Sequence, residues 1–579
     1  MRLTVRAHRA AHIMQAPARQ PTTAELQPLF NLYNAGRLAD AVAAARPLLS
    51  RYPGAVVLHS VLGSALAGLG RLDEAEQAFA AAVKANPGSA ELLSNLGLVQ
   101  QQRGRLDEAL ATYTRALAIR RDFPELLYNL GVVQDALGRL DEAAESYRRA
   151  LALQPRFAVA LFNLGTVLDR RGEPDAAIDA YRRAVGCEPG FVEAWSNLGA
   201  ALQKAGDAEQ AVACYQKALD IQPTATAWFN LGTAQRAYGL MADAAESYRR
   251  AIALAPAYAD AHSNLGEILR DQGDGDGTLA AFRAALAIDA DHGMANYNIG
   301  LLHHDLRDYD KALPYFERAR VLDWQDRVLY CLYKLRRSDE FEARLDAMMQ
   351  TRHRSPMVAT LSAHHAHNRG RPDPYRFCPD PVAFVHHAHL DALTDAGDSL
   401  RADLLRDITN ADIQARKQGR LYYGVQSSGH LFRRPEASIA RLVGLIRAEL
   451  DRYRAHLAGE DCVYAQDFPA RTEFASSWFV KMSRGGHLTS HIHEEGWLSG
   501  VLYLAMPSDR PPGSTAGGIE FSTDGDDYPR ERDDFPRLTL QPVVGDIVFF
   551  PSSLFHRTIP FESNEERICI AFDVKPAAA

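Results

Sequence analysis

His491 and His493 stand two residues apart in GGHLTSHIHEEGWLSGVLYL, His556 follows in VVGDIVFFPSSLFHRTIPF, and Arg567 opens the next apolar run, RICIAF. In extended backbone, side chains at i and i+2 share a face, so the first two imidazoles can aim at one point. Neutral imidazoles bind divalent first-row metals, and a planar guanidinium suits a carboxylate. The pair alone carries little information, because 20 histidines in 579 residues supply roughly one such spacing by chance. Two other examples are present, His365 with His367 in HHAH (364–367) and His387 with His389 in HHAH (386–389). Both read as helix or linker, where i and i+2 side chains diverge. His491 and His493 instead follow an expected strand, SSWFVKM, and a Gly-Gly turn, and precede another expected strand, WLSGVLYL. His556 lies just past the strand GDIVFFP, and it is this four-part order that points to a metal site.

The elements that must position these residues occupy the last third of the chain. Expected strands are Ser477 to Met482, Trp497 to Leu504, Gly518 to Ser522, Asp546 to Phe550 and Arg567 to Asp573, separated by Gly, Pro and Asp clusters. Upstream, 398–416 and 437–457 have the periodicity of amphipathic helices, and the four prolines of 368–381 mark a linker. Many short strands backed by helices suggest a double-stranded β-helix, or jelly roll, over 375–579. Ser499 and Tyr503 share a strand face and are candidates to hydrogen-bond a small acid, and the Gly-, Pro- and charge-rich segment 508–535 is a candidate lid.

The first three fifths of the chain are different in kind. Asn95, Asn129, Asn163, Asn197, Asn230, Asn264 and Asn298 recur at a period of 33 or 34 residues, each opening Asn-Leu-Gly or a close variant. Glycines at 36, 70, 104, 138, 172, 206, 239 and 273 keep the same register, and prolines close most units. Position 121 carries Arg where a proline is expected, and Arg307 replaces the last turn glycine. This pattern resembles the tetratricopeptide (TPR) family over 22–326, about nine repeats, between a tail at 1–21 and a helical cap and linker at 327–374. The resemblance implies an all-α superhelix whose concave face binds a protein or peptide. The in-phase asparagines can both donate to and accept from a peptide backbone, as the likeness to the TPR superhelix of O-linked N-acetylglucosamine transferases also suggests. They can equally serve neighbouring helix ends.

Composition narrows the choices. A net charge of -8, from 64 basic and 72 acidic residues, disfavours nucleic acid as the main partner. No apolar run reaches the roughly 18 residues of a membrane span. Six scattered cysteines without a CxxC pair suit a reducing compartment, so a cytoplasmic location is expected.

The three C-terminal motifs resemble the Fe(II)- and 2-oxoglutarate-dependent dioxygenases found behind bacterial TPR arrays. The resemblance implies His491 as the first ligand, His556 as the distal ligand and Arg567 as the clamp for 2-oxoglutarate, with O2 as co-reactant. His493 stands where that family has an acidic residue. Three arrangements follow: His493 ligates; Glu495 supplies the carboxylate with His493 as first ligand; or His491 and His556 act with water, as in the aspartyl and asparaginyl hydroxylases. The expected activity is hydroxylation of a protein or peptide brought by the repeats. Alternatives are a TPR adaptor with a degenerate jelly roll and a cupin-like three-His enzyme that does not use 2-oxoglutarate. A glycosyltransferase is disfavoured because the C-terminal part has no Gly-rich strand-to-helix turn.

Overall fold

The structure is a computed structural model describing residues 20–577 apart from 352, 411–414, 417–419, 428, 495 and 512, with backbone only at 415 and 416. The chain forms two compact units, 1–281 and 282–579.

In the first unit, helical hairpins follow one another from Thr23–Asn34 with Leu38–Arg51 to Ala225–Tyr238 with Met241–Leu254, followed by Ala259–Asp271. The Asn-Leu-Gly landmark is a packing device. In the hairpin of Ala158–Arg170 and Pro174–Cys187, Leu164 is buried and Gly165 lies flat against the Tyr181 ring. A Cβ at Gly165 would stand 2.7 Å from that ring, and Gly97, Gly131, Gly199 and Gly232 meet Tyr113, Tyr147, Tyr215 and Tyr248 in the same way. The turn glycines all have left-handed φ, Gly172 at +77°, which reverses the chain between helices without Cβ strain. The asparagines of this unit are half-buried on the first helix of each hairpin. Asn163 donates to the Tyr128 hydroxyl (3.3 Å) and Asn264 to that of Tyr248 (3.4 Å), so internal tyrosines satisfy part of the expected ladder.

The second unit contains the hairpin Gly293–Asp305 with Tyr309–Ala319, then helices Trp324–Lys334, Ser338–Met349 and Pro356–Asn368. Asn298 is buried here and donates to Met294 O (3.0 Å). Arg307 adopts the left-handed conformation of the glycine that it replaces (φ +60°), and its side chain meets Asp527 (3.0 Å). The segment expected as a linker is a packed strap: Phe377 and Cys378 are buried, and Phe377 O accepts from Tyr464 N (2.8 Å).

Ten strands follow among the described residues: β1 His386–His389, β2 Ala415–Arg416, β3 Leu421–Ser427, β4 Thr472–Leu488, β5 Leu498–Ala505, β6 Ile519–Ser522, β7 Arg537–Leu540, β8 Asp546–Pro551, β9 Phe555–Thr558 and β10 Arg567–Pro576. They form a seven-stranded sheet, β1-β8-β5-β10-β4-β3-β2, and a three-stranded sheet, β7-β6-β9, with every pairing antiparallel. Strands β5, β8 and β10 read as apolar runs because both of their faces are covered. Leu502, Phe549 and Phe572 pack toward the helices Leu400–Asn410 and Ala437–His456, whereas Val501, Phe550 and Cys569 join Ile519 and Phe521 of the small sheet.

Three local expectations are corrected. Residues 386–389 are a strand, β1, paired with β8. Edge pairing overrides the weak strand tendency of HHAH. The helix expected over 398–416 ends at Asn410, and 415–416 is strand. Gly485-Gly486 lies inside β4 instead of ending it, where the pairing with β3 shifts register between Tyr422 and Gly424. No helix among the described residues is long and apolar enough to cross a membrane.

Replacing Gly165 with Ala tests the packing rule. Overpacking costs about 1 to 3 kcal/mol and helix propensity returns about 1, so net destabilisation on the order of 1 kcal/mol is expected in urea unfolding. A stabilised variant would contradict the ring contact.

Candidate metal centre

His491 and His493 lie on the connection between β4 and β5, and β9 carries His556. Backbone hydrogen bonds hold the two segments together: His491 N to His556 O (3.2 Å), His556 N to His491 O (3.0 Å) and His493 N to Ser552 O (3.2 Å). One ring nitrogen from each of the three histidines falls within 4.8 Å of the others, and no other such group of three ligands occurs among the described residues. The Nε2 atoms of His491 and His493 are 3.3 Å apart.

The other nitrogens explain which atoms converge. Nδ1 of His491 donates to Thr489 O (2.8 Å), Nδ1 of His556 to Leu554 O (3.3 Å) and Nδ1 of His493 to Asp573 Oδ1 (2.6 Å). A neutral imidazole that spends its proton at Nδ1 keeps a lone pair at Nε2. Three such lone pairs facing each other repel unless a cation or proton lies between them. Burial and the neighbouring imidazoles disfavour protonation of His491 and His556. Desolvation, followed by the charge of His493, pushes His491 down to about 3, and desolvation with both neighbours pushes His556 well below its usual value.

Asp573 is the residue that sequence reading missed. It lies on β10 between Ser476 of β4 and Ser499 of β5, and both hydroxyls donate to it, at 2.8 Å each. Burial alone would raise this carboxyl, but His493 and the two serines hold it below the usual carboxylate range. Ser499 also lies 2.9 Å from Nδ1 of His493. It is therefore fully buried behind His493 and does not face the cavity, contrary to the expectation of a cosubstrate contact.

The cavity beside the imidazoles has a volume of about 510 Å3. Alternate residues of β10 line it, Arg567, Cys569, Ala571 and Asp573, with Trp478, Val480, Leu488, Val501 and Phe550 forming apolar walls. Arg567 is 1% exposed and forms an ion pair with no carboxylate among the described residues. Its polar contacts are Gly517 O (3.2 Å) and the sulfurs of Met482 (3.7 Å) and Cys569 (3.4 Å), and it stacks over Tyr503 at 5.1 Å. The Tyr503 hydroxyl has no partner among the described residues, and its ring lies outside the cavity lining, beneath the guanidinium.

The remaining expected residues lie elsewhere. Glu495 is outside the described residues. Of the candidate lid 508–535, only Ile519 lines the cavity, and Asp524 to Arg530 line a separate charged cleft. The HHAH histidines are occupied by carboxylates: His364 by Asp524, His365 by Glu342, His367 by Asp534, His386 by Glu449, and both His387 and His389 by Asp546.

Residues 476–573 match the family model described as "Putative 2OG-Fe(II) oxygenase". Two tetratricopeptide repeat models match 128–190, 239–292 and 263–327, and 55–122, 88–156 and 191–257. The chain is similar to the crystal structure of MamA, at 30% identity and TM-score 0.27 over 28% of this chain and 94% of that one. It is similar also to YrrB, a TPR protein described as having an unusual peptide-binding site, at 22% identity and TM-score 0.30 over 32% and 95%. A third likeness is to a tetratricopeptide repeat protein from Parabacteroides merdae, at 18% identity and TM-score 0.33 over 42% and 98%. No curated protein matches the chain.

The depressed His491 value sets an acid limit on the metal-free fold. The unfolded imidazole takes a proton below about pH 6.5 and the folded one does not until about 3, so stability is full above 6.5 and falls as pH drops between them. The slope from this residue is at most about 1.4 kcal/mol per pH unit. His491→Asn is expected to flatten the decline in unfolding free energy between pH 6.5 and 5; an unchanged decline would refute a buried, neutral His491.

Proposed function

From a chain that carries tetratricopeptide repeats ahead of an oxygenase-family segment, we propose an Fe(II)- and 2-oxoglutarate-dependent hydroxylase whose repeats recruit a protein or peptide substrate, acting in the cytoplasm. The observation that carries this reading is the pairing, in one cavity, of three convergent imidazole lone pairs with a buried guanidinium lacking a carboxylate. A buried charge without a counterion is costly, and an anionic ligand relieves it.

The donor set fits the metal: Nε2 of His491, His493 and His556 would hold Fe(II). Bound there with 2-oxoglutarate and O2, Fe(II) supplies oxidising power to hydroxylate a C–H bond, the cosubstrate leaving as succinate and CO2. Arg567 holds the far carboxylate of 2-oxoglutarate through its fork of donors. Tyr503 supports the guanidinium from behind by stacking. Asp573 fixes the tautomer and orientation of His493 and brings one negative charge to a site of otherwise neutral ligands. Trp478, Leu488, Ile492 and Phe550 keep water from the reacting face.

A cupin-like enzyme without a cosubstrate shares the three imidazoles but has no use for Arg567. Titrating the anaerobic Fe(II) protein with 2-oxoglutarate is expected to raise a metal-to-ligand charge-transfer band. Loss of a buried carboxylate partner costs about 3 to 5 kcal/mol, so Arg567→Met should weaken 2-oxoglutarate binding at least about 100-fold. Absence of the band and of succinate formation from the parent protein would leave the adaptor reading.

Asp573→Asn keeps an acceptor for His493 but removes the charge. Fe(II) affinity is expected to fall about 10- to 100-fold, as for other partners of ligating histidines. Calorimetric titration showing parental affinity would remove Asp573 from the site.

A further inference from the structure

We infer that helix Trp324–Lys334 is part of the metal site's scaffold, with Arg327 as a positioning residue that holds the His491–His493 segment through Glu494. This rests on the metal-binding reading above. The Arg327 side chain is 13% exposed and bridges two carboxylates, Nε to Asp323 (3.0 Å) on its own side and Nη2 to Glu494 (2.6 Å). Glu494 directly follows His493, whose ring and backbone are both committed, to Asp573 and to Ser552 O. The guanidinium thus fixes the far end of the segment that bears two of the three imidazoles.

Two further contacts come from the same group of helices. Tyr330 donates to Asp526 (2.8 Å); Asp526 pairs with Arg420 (3.3 Å); and Arg420 donates to Ser490 O (3.2 Å), the residue before His491. Thr360, on helix Pro356–Asn368, donates to Ser553 O (2.6 Å) in the turn that leads to His556. The helices therefore reach residues 490, 494 and 553, on either side of the first two ligands and just ahead of the third. Residues 489–494 contain no strand beyond the single bridge at His491, so the Arg327–Glu494 pair adds to a short set of hydrogen bonds that resist their opening. A metal site whose supporting shell loosens by about 1 Å loses function. The matched family segment, 476–573, contains none of Arg327, Tyr330 and Thr360.

The test uses full-length Arg327→Met, Glu494→Gln and the double variant. Hydrogen exchange over 488–497 is read in metal-free protein, and Co(II) affinity is read from its d–d absorption. Each single variant is expected to speed exchange at 490–494 and to weaken Co(II) binding about tenfold. The double variant should do no more than Arg327→Met alone, since that change already removes the Glu494 contact along with the one to Asp323. Unchanged exchange and Co(II) affinity in both single variants, even with a lowered Tm, would make Arg327 merely structural and overturn the inference. Effects that add in the double variant would also overturn it. A parent protein that binds no Co(II) would refute the metal-binding reading instead, with the exchange data still judging Arg327.

Discussion

The site depends on where one proton sits. His493 can present its Nε2 lone pair only while Nδ1 carries the hydrogen, and the Asp573 carboxylate 2.6 Å away holds it there. That carboxylate is itself buried, so it persists only because Ser476 and Ser499 donate to it from the strands on either side. Strand register is therefore ligand geometry: β10 aligns Asp573 with Ser476 of β4 and with Ser499 of β5. A slip of one residue would turn Asp573 to the opposite face and leave His493 without its acceptor.

The same face of β10 ends in a charge of opposite sign, treated in the opposite way. Asp573 is surrounded by donors, whereas Arg567 is as deeply buried and is left with a carbonyl, two sulfurs and an aromatic face. A fold selected for stability alone would pair or remove that guanidinium. Its burial without a carboxylate beside three convergent imidazoles is what the proposed anionic cosubstrate would answer. The departure from the family pattern at 493 belongs to the same account. In the proposed site the carboxylate expected at 493 is instead that of Asp573, which meets the His493 ring from behind.

The helical repeats solve a different problem with equal economy of side chains. Five hairpins seat a tyrosine on a glycine, and two more seat Phe79 and Phe316 on Gly63 and Gly300, so the paired helices approach at a distance that a Cβ would forbid. In the second unit the helices take on another task, because Arg327 reaches Glu494 beside His493, Thr360 reaches the turn ahead of His556, and Tyr330 reaches Asp526, which pairs with the Arg420 that holds Ser490. The strap at Phe377 and the charged segment around Tyr528, expected as linker and lid, are likewise packed parts of this unit.

Sequence by itself determined what local repetition can encode. The period of 33 or 34 residues announced the hairpins, glycine at 172 announced a turn, and the order of His491, His493, His556 and Arg567 marked one region for chemistry. Tertiary structure alone decided what depends on pairing between distant strands. Asp573 lies 80 residues from His493, with no spacing rule to link them, and Ser499 looked like a cavity residue until sheet register turned it toward that carboxylate. HHAH at 386–389 became a strand only because an edge of β8 was open to it. Helical periodicity is written along the chain because its contacts are three and four residues apart, whereas a β-built site draws its geometry from partners that sequence does not place side by side.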